Sequence, residues 1–226
     1  MKYKLRGQDL PVVDIELEPG EHVFTESGGM SWMSANMQME TNTRGGVMGG
    51  IGRMLSGESL FLTSYFPEHG TGLVSFASEF PGKVIPMKLK EGESIIAQKD
   101  AFMVAEGSVT LKMHFRKRLG TGLFGGEGFF LQEVIGPGQV FMELAGEVTE
   151  YKLEAGQQLK VDQGYIAMYE PSVDFDLTRV KGVKNILFSG EGLFLATLTG
   201  PGKVWLQSMP IAALARKLIP YMPKKR

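Results

Sequence analysis

The chain has 226 residues, 43% of them apolar and 22% charged, with a net charge of −1 at pH 7. These proportions are ordinary for a globular protein, and near-neutrality presents no overall basic field to nucleic acid. There is no cysteine, which excludes disulfides, thiolate nucleophiles and cysteine metal sites.

Residues 3–18 read as strands. Val13, Ile15 and Leu17 alternate with Asp14, Glu16 and Glu18, the period of a half-buried strand. Pro19-Gly20 then turns the chain. Met37 and Met39, with Gln38 and Glu40 between them, begin a strand that runs into a glycine-rich connector, Thr43 to Leu55. Ser56-Gly57-Glu58-Ser59-Leu60-Phe61-Leu62 follows as a small-Gly-Glu turn leading into an apolar strand. The next turn segment, Phe66 to Gly72, lies between apolar Phe61-Leu62 and Leu73-Val74-Ser75-Phe76, and reads as an added hairpin.

The same pattern recurs twice. Val109, Leu111, Met113 and Phe115 alternate with Thr110, Lys112 and His114, then give way to Arg116 to Phe124 and to Gly125-Gly126-Glu127-Gly128-Phe129-Phe130-Leu131. Val173, Phe175 and Leu177 alternate with Asp174, Asp176 and Thr178, then lead through Arg179 to Phe188 into Ser189-Gly190-Glu191-Gly192-Leu193-Phe194-Leu195. Glu127 and Glu191 are 64 residues apart, as are Gly92 and Gly156. Leu17-Glu18-Pro19-Gly20-Glu21, Leu89-Lys90-Glu91-Gly92-Glu93 and Leu153-Glu154-Ala155-Gly156-Gln157 also match. Pro137-Gly138 and Pro201-Gly202 each follow their glutamate by ten residues, and Pro81-Gly82 follows Glu58 by 23, which predicts about 13 extra residues in the first copy.

The predicted architecture is one compact all-β domain, 1–226, of three related modules (about 17–88, 89–152 and 153–209) around a pseudo-threefold axis. Each module is too small to bury a core alone. Thirty glycines suit its many tight turns. A short helix over about 210–219 closes the reading: Ile211, Leu214 and Leu218 share a face, Pro210 suits the first turn and Pro220 stops it.

The glycine-rich 45–55 connector, the recurring Ser-Gly-Glu-Gly-Leu-Phe-Leu, and Pro201-Gly202-Lys203-Val204-Trp205-Leu206-Gln207-Ser208 together resemble a widespread family long known as a domain of unknown function. Its eukaryotic members are called altered-inheritance-of-mitochondria or mitochondrial-biogenesis proteins. The resemblance covers nearly the whole chain. It implies a fold like that of the trp RNA-binding attenuation protein, in the double-stranded β-helix class, and it implies no catalytic residues. No Arg- and Ser-rich transit segment is present, so the eukaryotic location does not carry over.

Metal enzymes of this broad fold class need converging histidines and carboxylates. His22, His69 and His114 are far apart and in different contexts. Glu58, Glu127 and Glu191 are the oxygen-ligand alternative, three equivalent carboxylates that would hold a hard cation near an axis. The local alternative is that each accepts backbone N–H groups in its own turn, which also accounts for the flanking glycines. There is no Gly-x-Ser-x-Gly elbow and no Gly-Lys-Ser/Thr phosphate loop, so no cofactor is expected.

The connectors remain. Arg44, Arg53, Arg116, Lys117, Arg118, Arg179, Lys181 and Lys184 would form a cationic rim around apolar tips such as Met48, Ile51, Leu123 and Phe124. That combination suits an anionic membrane surface. The plainer alternative packs the apolar residues between modules or subunits and leaves the charges solvated. RNA is disfavoured, because single-strand binding wants aromatics among the cations and these connectors hold few.

The first residues lack the apolar run of a signal peptide, and no apolar stretch approaches the roughly 18 residues of a spanning helix. A cytoplasmic homo-oligomer is expected. Its expected role is a non-catalytic scaffold or binding protein, acting at an anionic membrane surface or with a protein partner. The alternatives are a small-molecule- or metal-binding β-barrel enzyme and an RNA-binding protein.

Overall fold

The alternation over residues 12–17 is realised as a ladder. Strands β1 (Lys2–Arg6) and β2 (Val12–Leu17) pair antiparallel, and Val13, Ile15 and Leu17 are fully buried. The computed structural model describes residues 1–26, 28–42, 62–117, 129–179 and 194–222. The strands that follow in the first segment are β3 (Val23–Glu26), β4 (Trp32–Met33), β5 (Met37–Asn42), β6 (Leu62–Pro67) and β7 (Gly72–Ala77). The second segment holds β8 (Gly82–Leu89), β9 (Ser94–Gln98), β10 (Phe102–Glu106), β11 (Thr110–Lys117), β12 (Phe129–Ile135) and β13 (Gly138–Ala145). The third holds β14 (Val148–Leu153), β15 (Gln158–Asp162), β16 (Ile166–Tyr169), β17 (Asp174–Arg179), β18 (Phe194–Thr199) and β19 (Gly202–Gln207). One helix, α1 (Ile211–Leu218), comes next. The chain is therefore nearly all-β.

Four antiparallel ladders occur in the same order in each segment. Counting the first segment from β2, with β1 an added strand beside it, the first strand pairs with the last: β2 with β7, β8 with β13, β14 with β19. The third also pairs with the last: β4 with β7, β10 with β13, β16 with β19. The second pairs with the fifth: β3 with β6, β9 with β12, β15 with β18. The fourth pairs with the fifth: β5 with β6, β11 with β12, β17 with β18. Two further ladders join segments, β3 to β10 and β9 to β16.

The register corrects the expected position of the extra residues. Leu17 pairs with Gly72, Leu89 with Gly138, and Leu153 with Gly202. The first-segment counterpart of Pro137-Gly138 is thus Thr71-Gly72, not Pro81-Gly82. Pro81-Gly82 instead opens the second segment, with Gly82 paired to Ala145. The expected hairpin around 66–72 is a corner between two sheets, because β6 pairs with β3 and β5 while β7 pairs with β2 and β4. Asn36 holds the corner: its Nδ2 donates to the carbonyls of His69 at 2.7 Å and Thr71 at 3.0 Å. Gly72 lies so close to Met37 that a Cβ there would meet its sulfur at 2.2 Å.

Among the described residues, three apolar clusters make up the interior. The first joins Val13, Ile15, Val74 and Phe76 to Phe141 of β13. The second gathers Phe24, Ile95, Met142, Met168 and Trp205 from all three segments. The third centres on Ile96, Leu131, Ile166, Tyr169 and Leu198, with the rings of Phe129, Tyr169 and Phe175 stacked. β13 is buried along its whole length, as its near-continuous apolar run requires.

The apolar face expected on β5 and β11 is incomplete. Met37 and Leu111 are buried, but Met39 is 58% exposed and Met113 36%. Both strands lie at the ends of their sheets, where cover is one-sided. β11 also carries a register shift between Met113 and Phe115 that breaks the strict alternation.

Candidate functional surfaces

Most of the residues singled out in the sequence lie outside the described residues. These are Arg44, Arg53, Arg118, Lys181, Lys184 and the three glutamates Glu58, Glu127 and Glu191. The backbone of Arg116 and Lys117 ends β11, opposite Phe130 and Phe129 of β12, and their side chains are likewise outside the description. The histidines are dispersed. His22 packs against Gly107 with its Nε2 buried and without a hydrogen bond, His69 is in the 68–71 corner, and His114 is exposed on β11. Among the described residues no three His, Asp or Glu side chains group to hold a metal.

The structure instead brings together carboxylates that sequence reading passed over. A cleft of about 340 Å³ lies where the first two segments meet, lined by Glu26, Glu79, Lys99, Asp100, Glu143 and, from α1, Ile211. Glu143, on β13, is 7% exposed and accepts the backbone N–H of Glu79 at 3.0 Å. Burial pushes its carboxyl up from 4.5 to about 7, against the hydrogen bonds it accepts and with added repulsion from Glu79. Burial also raises Glu26, although Lys99 Nζ stands 3.3 Å from its Oε2. The other oxygen, Oε1, is buried and accepts no hydrogen bond.

The corresponding positions one segment later are neutral. Gln98 ends β9 opposite Leu131, as Glu26 ends β3 opposite Leu62. Gln207 stands five residues after Gly202, as Glu143 stands five after Gly138. Gln98 Nε2 donates to the Gln163 carbonyl at 2.7 Å, and Gln207 Nε2 to the Gly164 carbonyl at 3.1 Å. Gln207 Oε1 accepts the Ala145 N–H at 3.1 Å. Two amides thus satisfy this junction, where two carboxylates occupy the other. The available signal was Glu143 inside the apolar run Val140-Phe141-Met142-Glu143-Leu144. The cleft offers carboxylate oxygens and an amine, and no histidine lines it.

A second surface is α1. The Pro210 carbonyl accepts the N–H groups of Ala213 and Leu214 and starts the helix. The helix ends at Leu218, one residue before the expected limit, and a 3-10 turn over Ile219–Tyr221 follows. No residue of α1 is buried. Ile211 is 36% exposed, Leu218 48%, Ile219 61%, Tyr221 87% and Met222 60%. No Asp or Glu follows Glu191 in the sequence, whereas Arg216, Lys217, Lys224, Lys225 and Arg226 do. No helix among the described residues is long and apolar enough to cross a membrane.

These features define a nearly all-β protein whose most distinctive chemistry is on its surface and at one segment junction. The model of the family described as "Mitochondrial biogenesis AIM24" matches residues 3–209, and the chain belongs to that family. It is 29% identical over 226 residues to an uncharacterised protein of Streptococcus pyogenes serotype M6, covering 96% of this chain and 89% of the relative. It is also similar to a crystal structure of a Streptococcus pyogenes protein, with a TM-score of 0.79 and 26% identity over 98% of this chain and 99% of the other.

Proposed function

We propose that this protein is a non-catalytic scaffold or binding protein that acts through its surface, and that it does so as a homo-oligomer. The observation that supports this reading is a pair of strands, β4 and β15, that end their sheets among the described residues. β3 and β9 each ladder with the third strand of the following segment. β15 holds the corresponding place in the third segment, yet it is the end strand of its own three-stranded sheet. β4, the third strand of the first segment, ends a different sheet, with Trp32 45% exposed. Among the described residues no ladder covers the outer side of either strand, and an uncovered edge strand favours pairing with another chain. Partner surfaces fitting the exterior are an anionic membrane or a protein.

Light scattering on the eluting protein tests the assembly. The parent is expected to elute as an oligomer and Trp32→Lys to shift toward the monomer mass. A parent that stays monomeric throughout the micromolar range refutes the assembly.

A further inference from the structure

We infer that α1 and the residues around it form a docking element for an anionic lipid surface. This rests on the reading that the protein works by surface binding, and it names the partner. The first argument is exposure. In an eight-residue helix with no buried residue, Ile211 reaches the cleft and keeps 36% of its surface exposed, whereas Leu218 is 48% exposed and Ile219, Tyr221 and Met222 extend the exposed apolar surface beyond it. So short a helix has little stability of its own. The described residues half-cover Leu214 and leave Leu218, Ile219, Tyr221 and Met222 exposed, so the apolar surface at the end of the helix has room for an occupant.

The second argument is charge. Arg216 and Lys217 are exposed on α1, and Lys224, Lys225 and Arg226 follow in the sequence. In a chain with net charge −1, every charged side chain after Glu191 is a cation. A second copy of the same element would set cation against cation across an isologous contact. An anionic bilayer interface complements both features: it takes the apolar side into the acyl boundary and attracts the cations at headgroup level. Tyr221 has the apolar body and polar tip that suit this interface.

The test is flotation of the full chain with vesicles of phosphatidylglycerol and phosphatidylcholine in equal parts, against phosphatidylcholine alone, at low and high salt. The parent is expected to float with the anionic vesicles at low salt and to be released by salt. The double variant Leu218→Glu, Ile219→Glu and the double variant Arg216→Glu, Lys217→Glu are each expected to lose binding by at least about tenfold, since each cation near the surface is worth roughly fivefold. All four side chains are exposed, and unchanged circular dichroism would show that the variants fold.

If the parent floats and both variants float equally well, the α1 proposal is overturned while surface binding stands. If the parent floats with neither vesicle, the proposal is overturned, and the light-scattering result decides the assembly on its own. If the Leu218 and Ile219 changes alter the oligomer mass, α1 is a contact between copies and the proposal is again overturned.

Discussion

Replacing Glu143 by glutamine should remove most of one pH dependence from the stability of this protein. In the native state the carboxyl titrates at about 7 instead of 4.5 because it is buried. The native state therefore binds a proton between these values that the unfolded chain releases, so this contribution is fully present below pH 4.5 and is lost as pH rises through 7. The shift of about 2.5 units corresponds to about 3 kcal/mol at about 1.4 kcal/mol per unit. Glutamine keeps an acceptor for the Glu79 N–H and adds a donor where the protonated acid has its O–H. Gln207 makes this pair of bonds at the corresponding place.

Above pH 7, Glu143→Gln should exceed the parent by up to about 3 kcal/mol, or roughly 6–12 °C in Tm for a domain of this size. Below pH 4.5 the two should agree closely. Urea unfolding from pH 4 to 8 measures both curves. A residual slope is expected from Glu26, which burial also raises. Parallel curves for parent and variant would refute the argument.

Two further outcomes concern packing. Gly82→Ala should destabilise by about 1–3 kcal/mol, because a Cβ there meets the Leu144 carbonyl oxygen at 2.0 Å across the β8–β13 ladder; denaturant midpoints would show it. Phe141→Ala should cost about 3–5 kcal/mol, since this fully buried ring from the second segment packs into the cluster of the first, edge to face with Tyr3 at 4.8 Å. The loss should appear as one cooperative transition, and a separate early transition for residues 1–77 would contradict the shared core.

Period-two alternation made β2 legible because its apolar side is covered completely. It misled at Met39 and Met113, since edge position is a property of the sheet and not of the strand. The turn after β6 was misread for a related reason. A glycine turn between apolar runs signals a hairpin, but whether the runs pair depends on which sheets claim them. Asn36, 35 residues upstream of Thr71, fixes the corner. The Leu17, Leu89 and Leu153 motifs were legible because each must pair with a glycine at the start of a last strand. The cleft was not legible from composition or motif, because Glu26 and Glu143 are 117 residues apart and meet only through the junction of two segments.

The contrast between the two junctions has a reciprocal consequence at Gln207. This side chain is 9% exposed and spends both of its polar atoms on backbone partners, Ala145 N–H and Gly164 C=O. Gln207→Glu keeps the acceptor and, when protonated, the donor. Ionised, it sets a carboxylate against the Gly164 carbonyl and removes a charge from water. The variant should therefore match the parent in mild acid and fall below it as pH rises, by about 1–3 kcal/mol when the buried donor is lost. Paired with Glu143→Gln, it asks whether stability follows the protonation of one position in a repeated framework. If Gln207→Glu is as stable as the parent at pH 8, the junction tolerates a charge through relaxation. The carboxylates of the first junction would then owe less to burial than their positions indicate. A loss that grows with pH would place both junctions under the same rule, with hydrogen-bond donation at this strand end as the quantity each requires.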